Sequence, residues 1–162
     1  MHPTQLSLQL QAAEKGLGPS AQGPDGWPIS RQRIRRAVLA SLDAQVESAE
    51  LTLRLVGEAE GRRLNLDYRG RNAPTNVLTF AYSPPPDLCA DVVLCLPVVA
   101  REARAQRKPL DHHLIHLIVH GCLHACGLDH ENDDEAEAME EHEAAILRRF
   151  RIPNPYGTIK AP

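Results

Sequence analysis

A ladder of histidines constrains this chain more than any other feature of its sequence. Five of the eight histidines fall between residues 112 and 124, and four of them recur every fourth residue: His112, His116, His120 and His124. This spacing stacks side chains about one turn apart on an α-helix, with a drift of about 40° at each step. The segment therefore predicts a helix on which neighbouring imidazoles converge on one ion, whereas all four cannot serve a single site.

A glycine and a further histidine indicate which two histidines of the helix bind the ion. Gly127 follows His124 after two residues, and His130 follows Gly127 after two more. Gly127 can adopt the left-handed conformation that ends a helix, so the chain can turn back and bring His130 to the ion. This is the spacing of the long zincin signature HExxHxxGxxH. Three imidazoles with an open fourth position are typical of catalytic zinc, so we predict one zinc ion on His120, His124 and His130; such a site also accepts nickel, cobalt or copper.

The neighbouring histidines and cysteines are interpreted as core residues. His112, His113 and His116 are expected to pack or to hydrogen-bond in the interior. Cys122 and Cys126 are also four residues apart, but they lie about 200° around the helix from the two ligating histidines. They are expected to be small buried hydrophobes.

The residue after the first ligand decides the class of chemistry. Zincin peptidases need a glutamate there as general base, and this chain has Gly121. A metal ion can still act as a Lewis acid, but peptide hydrolysis loses its proton acceptor. Asp129, next to His130, is open to two interpretations: it orients a ligand or takes a proton, or it caps the turn.

Composition limits the remaining classes. A chain of 162 residues suits a single domain over 1–162, with no apolar run near the roughly 20 residues of a membrane span and no signal-peptide pattern. Its four cysteines are expected to be reduced thiols in a cytoplasmic protein. A net charge of -3 excludes a uniformly basic nucleic-acid coat, and 4% aromatic residues are too few for a base-stacking platform.

Apolar periodicity predicts an α+β domain. Alternation favours strands near residues 6–10 and 51–55, a β-branched and aromatic run favours a third at 76–82, and a nearly continuous apolar run favours a fourth at 91–96. Fourth-residue stripes and caps favour helices after Ser30 (with Ile34, Val38, Leu42 and Val46), over 58–68 and 98–106, from an Asp111 cap to Cys126, and over 134–150. Residues 14–30 hold four glycines and three prolines and predict a long loop, and 151–162 a C-terminal tail. The expected fold is a mixed sheet of about four strands with five or six helices, one of them a zincin-like metal-binding helix.

Two motifs carry a family resemblance. HGCLHACGLDH at 120–130 resembles the HGxLHxxGYDH signature of the YbeY family of bacterial rRNA-maturation endoribonucleases. LNLDYRGRNAPTNVLTF at 64–80 resembles the second signature of that family, and CADVVLC at 89–95 resembles the strand that follows it. The resemblance covers about residues 30–150. It implies a cytoplasmic, zinc-dependent endoribonuclease specific for single-stranded RNA, linked to 16S rRNA 3′-end maturation and quality control of 70S ribosomes. The implied partners are rRNA, a ribosomal subunit and assembly proteins, without DNA or membrane.

The resemblance also implies roles for individual residues. The three metal histidines of the family fall on His120, His124 and His130, and its functional arginine falls on Arg69. A guanidinium suits phosphodiester cleavage because it can clamp a phosphate oxygen pair and stabilise developing charge; the plain alternative for Arg69 is a surface salt bridge.

This chain departs from the family pattern at three positions. It has Leu128 for tyrosine, Asn72 for aspartate and Ala90 for glycine. None of the three substitutions removes a predicted metal ligand.

Two rival functions remain beside the endoribonuclease. One is a non-enzymatic ribosome-assembly or RNA-binding factor in which the metal stabilises the fold and Arg69 only grips RNA. The other is a different metallohydrolase such as a peptidase, against which Gly121 argues. Charge is unevenly spread: residues 129–143 hold nine acidic side chains and no lysine or arginine. Basic residues cluster instead at 31–36, 62–71 and 101–108, and two clusters beside the metal site would provide a phosphate-binding field.

Overall fold

The computed structural model describes residues 4–13, 26–42, 44–128 and 132–157. These residues contain four strands and five helices. The strands are β1 Gln5–Ala12, β2 Ser48–Val56, β3 Val77–Ser83 and β4 Asp87–Cys95. The helices are α1 Arg31–Ser41, α2 Glu58–Arg69, α3 Leu96–Ala105, α4 Leu110–Ala125 and α5 Asp133–Arg148. The predicted α+β class and its four strands are confirmed.

The strands form one mixed sheet in the order β1-β2-β4-β3. β1, β2 and β4 run parallel, whereas β3 pairs with β4 in the antiparallel direction and forms an edge. β4 begins at Asp87, four residues before the predicted start at Asp91, because residues 87–90 already pair with β2. Side chains of β2 and β4 alternate between the two faces of the sheet, and each face is covered by different helices.

The two faces of the sheet carry different helices. Val92 and Leu94 of β4 join the larger core, which α1 and α4 cover. Val93 and Cys95 point to the opposite face and join a smaller cluster with Leu64 of α2. The helix of the predicted metal ligands and the helix that ends at Arg69 therefore lie on opposite faces of the sheet.

The segments on either side of the helical core are anchored more firmly than the sequence predicted. In the predicted 14–30 loop, residues 14–25 lie outside the described residues, but Trp27 is fully buried and its Nε1 donates to the Gln11 carbonyl at 3.1 Å. The predicted tail also enters the core, because Ile152 is buried.

Two helix boundaries differ from the predictions. Ser30 caps α1 as expected, accepting from the Arg33 amide, but the helix ends at Ser41 because Leu42 is extended. Val46 of the predicted stripe is buried beyond the helix.

α4 begins earlier than predicted and uses a different cap. Pro109 rather than Asp111 occupies the cap position, and the Asp111 carboxylate instead accepts a hydrogen bond from Arg33 of α1 at 2.6 Å. The other three helices begin and end within two residues of the predictions. Among the described residues, no helix has the length and apolar character needed to cross a membrane.

Candidate metal centre

A close approach of helix and sheet positions the candidate ligands. A Cβ at Gly121 would lie 2.7 Å from Cγ1 of Val92, a separation that real Cβ atoms do not show. The Thr79 hydroxyl donates to the Gly121 carbonyl at 3.4 Å across the same contact. α4 is thereby held against β3 and β4, with His120 directly before the contact and His124 one turn after it. The position of the peptidase glutamate faces the sheet and has no room for a side chain.

Both candidate ligands described by the structure have an acceptor at Nδ1. Nδ1 of His120 donates to Oε2 of Glu143, and Nδ1 of His124 donates to the Leu128 carbonyl at 3.2 Å. A proton on Nδ1 fixes the tautomer in which Nε2 carries the lone pair. Metal-binding histidines almost always have such an acceptor on the second nitrogen. The tautomers therefore match those of Nε2 ligands.

Glu143 of α5 is the centre of a buried polar cluster. Its side chain is completely buried, and its Oε1 accepts from Nε2 of His116 at 3.1 Å and from the Tyr156 hydroxyl. Burial acts to raise the pKa of Glu143, but the hydrogen bonds from His116, His120 and Tyr156 outweigh it and bring the pKa to about 2. Burial, the hydrogen bond to Glu143 and the charge of Glu143 together raise the pKa of Tyr156. An ionised carboxylate thus lies directly behind His120.

The sequence analysis did not identify Glu143 as a site residue. One signal was available: Glu143 lies on the apolar stripe of α5, four residues after Met139 and three before Ile146, and both of these are buried. An ionisable group at a core position needs a partner. The partners come from α4 and from the C-terminal segment, which periodicity alone does not bring together.

The other histidines of α4 follow the prediction in part. His113 and His116 are buried and hydrogen-bonded, whereas His112 is half-exposed. Nε2 of His113 donates to Oε1 of Glu102 at 2.8 Å. Burial lowers the pKa of His113, against the opposing effect of Glu102, so its imidazole is neutral near pH 7. Cys122 is fully buried and Cys126 half-buried, in keeping with a role as small hydrophobes.

A cavity of about 280 Å³ adjoins His120. One wall consists of the histidine face of α4, and the others come from the end of α3, the start of β3 and the C-terminal segment at Tyr156. Glu102 and Lys108 border it. One of the predicted basic clusters, at 101–108, therefore reaches the surroundings of His120.

Among the remaining predicted site residues, the structure describes only Arg69. His130 and Asp129 lie outside the described residues. Arg69 is exposed at the last position of α2, and its side chain makes no hydrogen bond or ion pair with any other described residue. The structure brings His120 and His124 together on adjacent turns and does not bring Arg69 into contact with either.

The donor set fits a divalent transition metal. Two imidazoles on adjacent turns, each with an acceptor at Nδ1, and a buried carboxylate behind one of them match the ligands and supporting contacts of a zinc site. His130, if it approaches as the spacing predicts, would add a third nitrogen. The absent glutamate at Gly121 leaves the set without the general base of a peptidase.

Comparison with known proteins gives concordant matches. A family model described as "Endoribonuclease YbeY" matches residues 28–151. A protein of that name from Aromatoleum aromaticum is 59% identical over 124 residues, which are 76% of this chain and 79% of that protein. Another from Bordetella pertussis is 53% identical and covers 94% of this chain and 97% of that protein. The solution structure of a Thermotoga maritima protein shares the fold, with a TM-score of 0.57 and 21% identity over 96% of this chain and 99% of the other.

Proposed function

Because this chain belongs to the endoribonuclease YbeY family, we propose that it cleaves single-stranded RNA at a metal centre formed by His120, His124 and His130. The observation that carries the metal part of the proposal is the acceptor on Nδ1 of both His120 and His124. Zinc is the proposed ion because three imidazoles with an open position are typical of catalytic zinc, although nickel, cobalt and copper suit the same ligands.

The main contribution of the described residues to the reaction is to orient the histidine ligands. Glu143 holds the His120 ring by its Nδ1 proton, and the Leu128 carbonyl holds His124 in the same way. A divalent cation at such a site supplies Lewis acidity toward a phosphodiester. From the family resemblance alone, Arg69 is proposed to clamp a non-bridging phosphate oxygen pair of the RNA. Its side chain is exposed, but its helix packs on the sheet face opposite α4.

The proposed biological substrate is ribosomal RNA. From the family resemblance we propose a role in 16S rRNA 3′-end maturation and in late quality control of 70S ribosomes, in the cytoplasm and together with a ribosomal subunit and assembly proteins. Lys108, which follows α3 and borders the cavity beside His120, supports an RNA substrate, because it supplies a local positive charge in a chain whose overall charge is -3.

A direct test combines metal analysis with an RNA digest. We expect freshly purified protein to contain about one zinc ion per chain and to cleave single-stranded RNA, to lose cleavage with a chelator and to regain it with zinc. A casein digest run in parallel should show no hydrolysis. Full RNA cleavage by protein shown to be free of metal would refute the metal proposal.

The Arg69→Glu variant distinguishes the endoribonuclease proposal from the rival RNA-binding function. Under the endoribonuclease proposal, this variant cleaves RNA more slowly while its metal content and melting temperature stay unchanged. If the protein is instead a non-enzymatic assembly factor, the wild type shows no metal-dependent cleavage, and the substitution weakens only its binding to RNA or to ribosomal particles.

A further inference from the structure

The cavity beside His120 has a polar wall that the proposed cleavage does not use. Nδ2 of Asn76 and Nε2 of His113 both donate to Oε1 of Glu102, at 3.0 and 2.8 Å. The two donors come from different elements, the residue before β3 and helix α4. The Glu102 carboxylate is therefore held in one orientation.

The second oxygen of this carboxylate retains capacity to accept. Oε2 of Glu102 has a single contact among the described residues, at 3.4 Å from the same Asn76 amide. The Glu102 side chain is 34% exposed, whereas that of His113 is 5% exposed. An ionised carboxylate oxygen accepts about two hydrogen bonds. Oε2 can therefore accept from a ligand that enters the cavity.

A cation borders the same cavity. Lys108 is half-buried, and its ammonium makes no hydrogen bond to any described residue. Glu102 and Lys108 line the same cavity. Burial lowers the pKa of Lys108, and attraction to Glu102 opposes this effect. A lysine ammonium is a common point-charge contact for phosphate. The cavity thus presents one acceptor and one cation side by side.

We propose that this cavity binds one nucleotide of the RNA next to the cleaved phosphodiester, with Glu102 accepting from the exocyclic amino group of its base and Lys108 contacting a phosphate. The inference rests on the proposed function, because it is proximity to His120 that places the nucleotide beside the reaction. Acceptance of the cytosine amino group by a carboxylate is an established pairing. Uracil lacks an amino group, and its one donor on the pairing edge, N3–H, is flanked by two carbonyl oxygens that would repel the carboxylate.

The size of the cavity agrees with a single nucleotide. Its volume of about 280 Å³ lies at the lower end of ligand pockets. Recognition by one hydrogen bond also agrees with an aromatic content of 4%, which provides no row of stacking rings.

A purely structural role for the same contacts makes a different prediction. Asn76 and Glu102 also attach the residues before β3 to α3. If this were their only role, substitution of Glu102 would lower the melting temperature without changing which base is preferred. Base preference is therefore the measurement that separates the two roles.

Glu102→Gln removes the charge of the group and changes the atom at its free edge, but keeps an oxygen for its two donors. Its carboxamide oxygen can still accept from Asn76 and His113, while its NH₂ donor replaces Oε2 at the cavity. Glu58→Gln is the matched control, since Glu58 is an exposed partner of Arg101 that does not border the cavity. We expect Glu102→Gln to reverse the base preference toward uracil and Glu58→Gln to preserve it.

The experiment measures binding by fluorescence anisotropy. The full chain as purified is titrated into labelled oligo(C), oligo(A) and oligo(U) with 2′-O-methyl, phosphorothioate backbones that resist cleavage. The wild type should bind oligo(C) and oligo(A) about tenfold to a hundredfold more tightly than oligo(U), the range for one hydrogen bond to a charged group. Lys108→Gln should weaken all three equally and reduce the slope of log affinity against log salt by about 0.7.

The failures of the two proposals are distinguishable. Equal binding of the three oligomers by the wild type, or an unchanged order in a folded Glu102→Gln variant, overturns the nucleotide pocket and leaves the endoribonuclease proposal standing. Absence of binding to every oligomer overturns both.

Discussion

Nδ1 of His120 donates a hydrogen bond to the buried carboxylate of Glu143, although the two residues belong to different helices and lie 23 positions apart. The same carboxylate accepts from His116 and Tyr156. α5 and the C-terminal segment therefore contribute to the orientation of a candidate metal ligand on α4.

Glu143→Gln should weaken metal binding without removing any ligand. The carboxamide keeps the size of the side chain. Its NH₂ group, however, faces a hydrogen-bond donor that in the wild type donates to a carboxylate oxygen. We expect metal affinity to fall about 10- to 100-fold, the usual effect of losing such a supporting contact, as measured by competition with a chelator of known affinity. Glu141→Gln, an exposed position on the same helix, is the control. An unchanged affinity in Glu143→Gln would show that the contact does not support the metal site.

Tyr156→Phe should destabilise the protein by about 0.5–1.5 kcal/mol. The substitution removes the hydroxyl that donates to Glu143 and preserves the edge-on ring contact with His116, whose centroid lies 5.5 Å away. The free energy of unfolding from urea titrations checks this value. A variant as stable as the wild type would mean that the C-terminal segment contributes nothing through this hydroxyl.

Gly121→Ala should destabilise α4 although alanine favours helices by about 1 kcal/mol over glycine. The new Cβ would lie 2.7 Å from Cγ1 of Val92, and overpacking of this kind costs about 1–3 kcal/mol. Combining it with Val92→Ala, which removes the opposing methyl, should recover much of the loss. A double-mutant cycle measured by urea unfolding tests this coupling, and additive effects would contradict it.

The ion pair between Asp111 and Arg33 should give stability that depends on pH. Burial acts to raise the pKa of Asp111, but the Arg33 hydrogen bond and charge outweigh it, so the pKa is lowered. A lowered carboxyl pKa adds stability above the ordinary aspartate range, and this is lost as the pH falls below that range. Asp111→Asn should cost about 0.2–1 kcal/mol at pH 7, as for a partly exposed pair, and less as the pH falls through the lowered pKa of Asp111. A loss of equal size throughout this pH range would exclude the ion pair as its cause.

Local pattern was sufficient to predict the elements and the pair of imidazoles. The four-residue spacing of His120 and His124 is a property of one helix, and the Ser30 cap and the Gly121 substitution are visible in a few adjacent letters. The departures arise where a distant residue competes for a group. Asp111 pairs with Arg33 of α1 instead of capping its own helix, and residues 87–90 join the sheet because β2 supplies partners.

The surroundings of the site could not be predicted from periodicity. Glu143 meets His120 only when α5 packs against α4, and the cavity needs α3, α4, β3 and the C-terminal segment together. Arg69 shows the same limit, because its motif predicts a role in the reaction while the sheet separates its helix from α4.

The central claim is that RNA cleavage depends on the metal held by the histidines of α4. The most direct measurement compares His124→Ala with His112→Ala, a half-exposed histidine on the same helix, for metal content and for cleavage of a single-stranded RNA. We predict that His124→Ala loses metal and cleavage together, whereas His112→Ala retains both. Full cleavage by purified, metal-free His124→Ala would contradict the account.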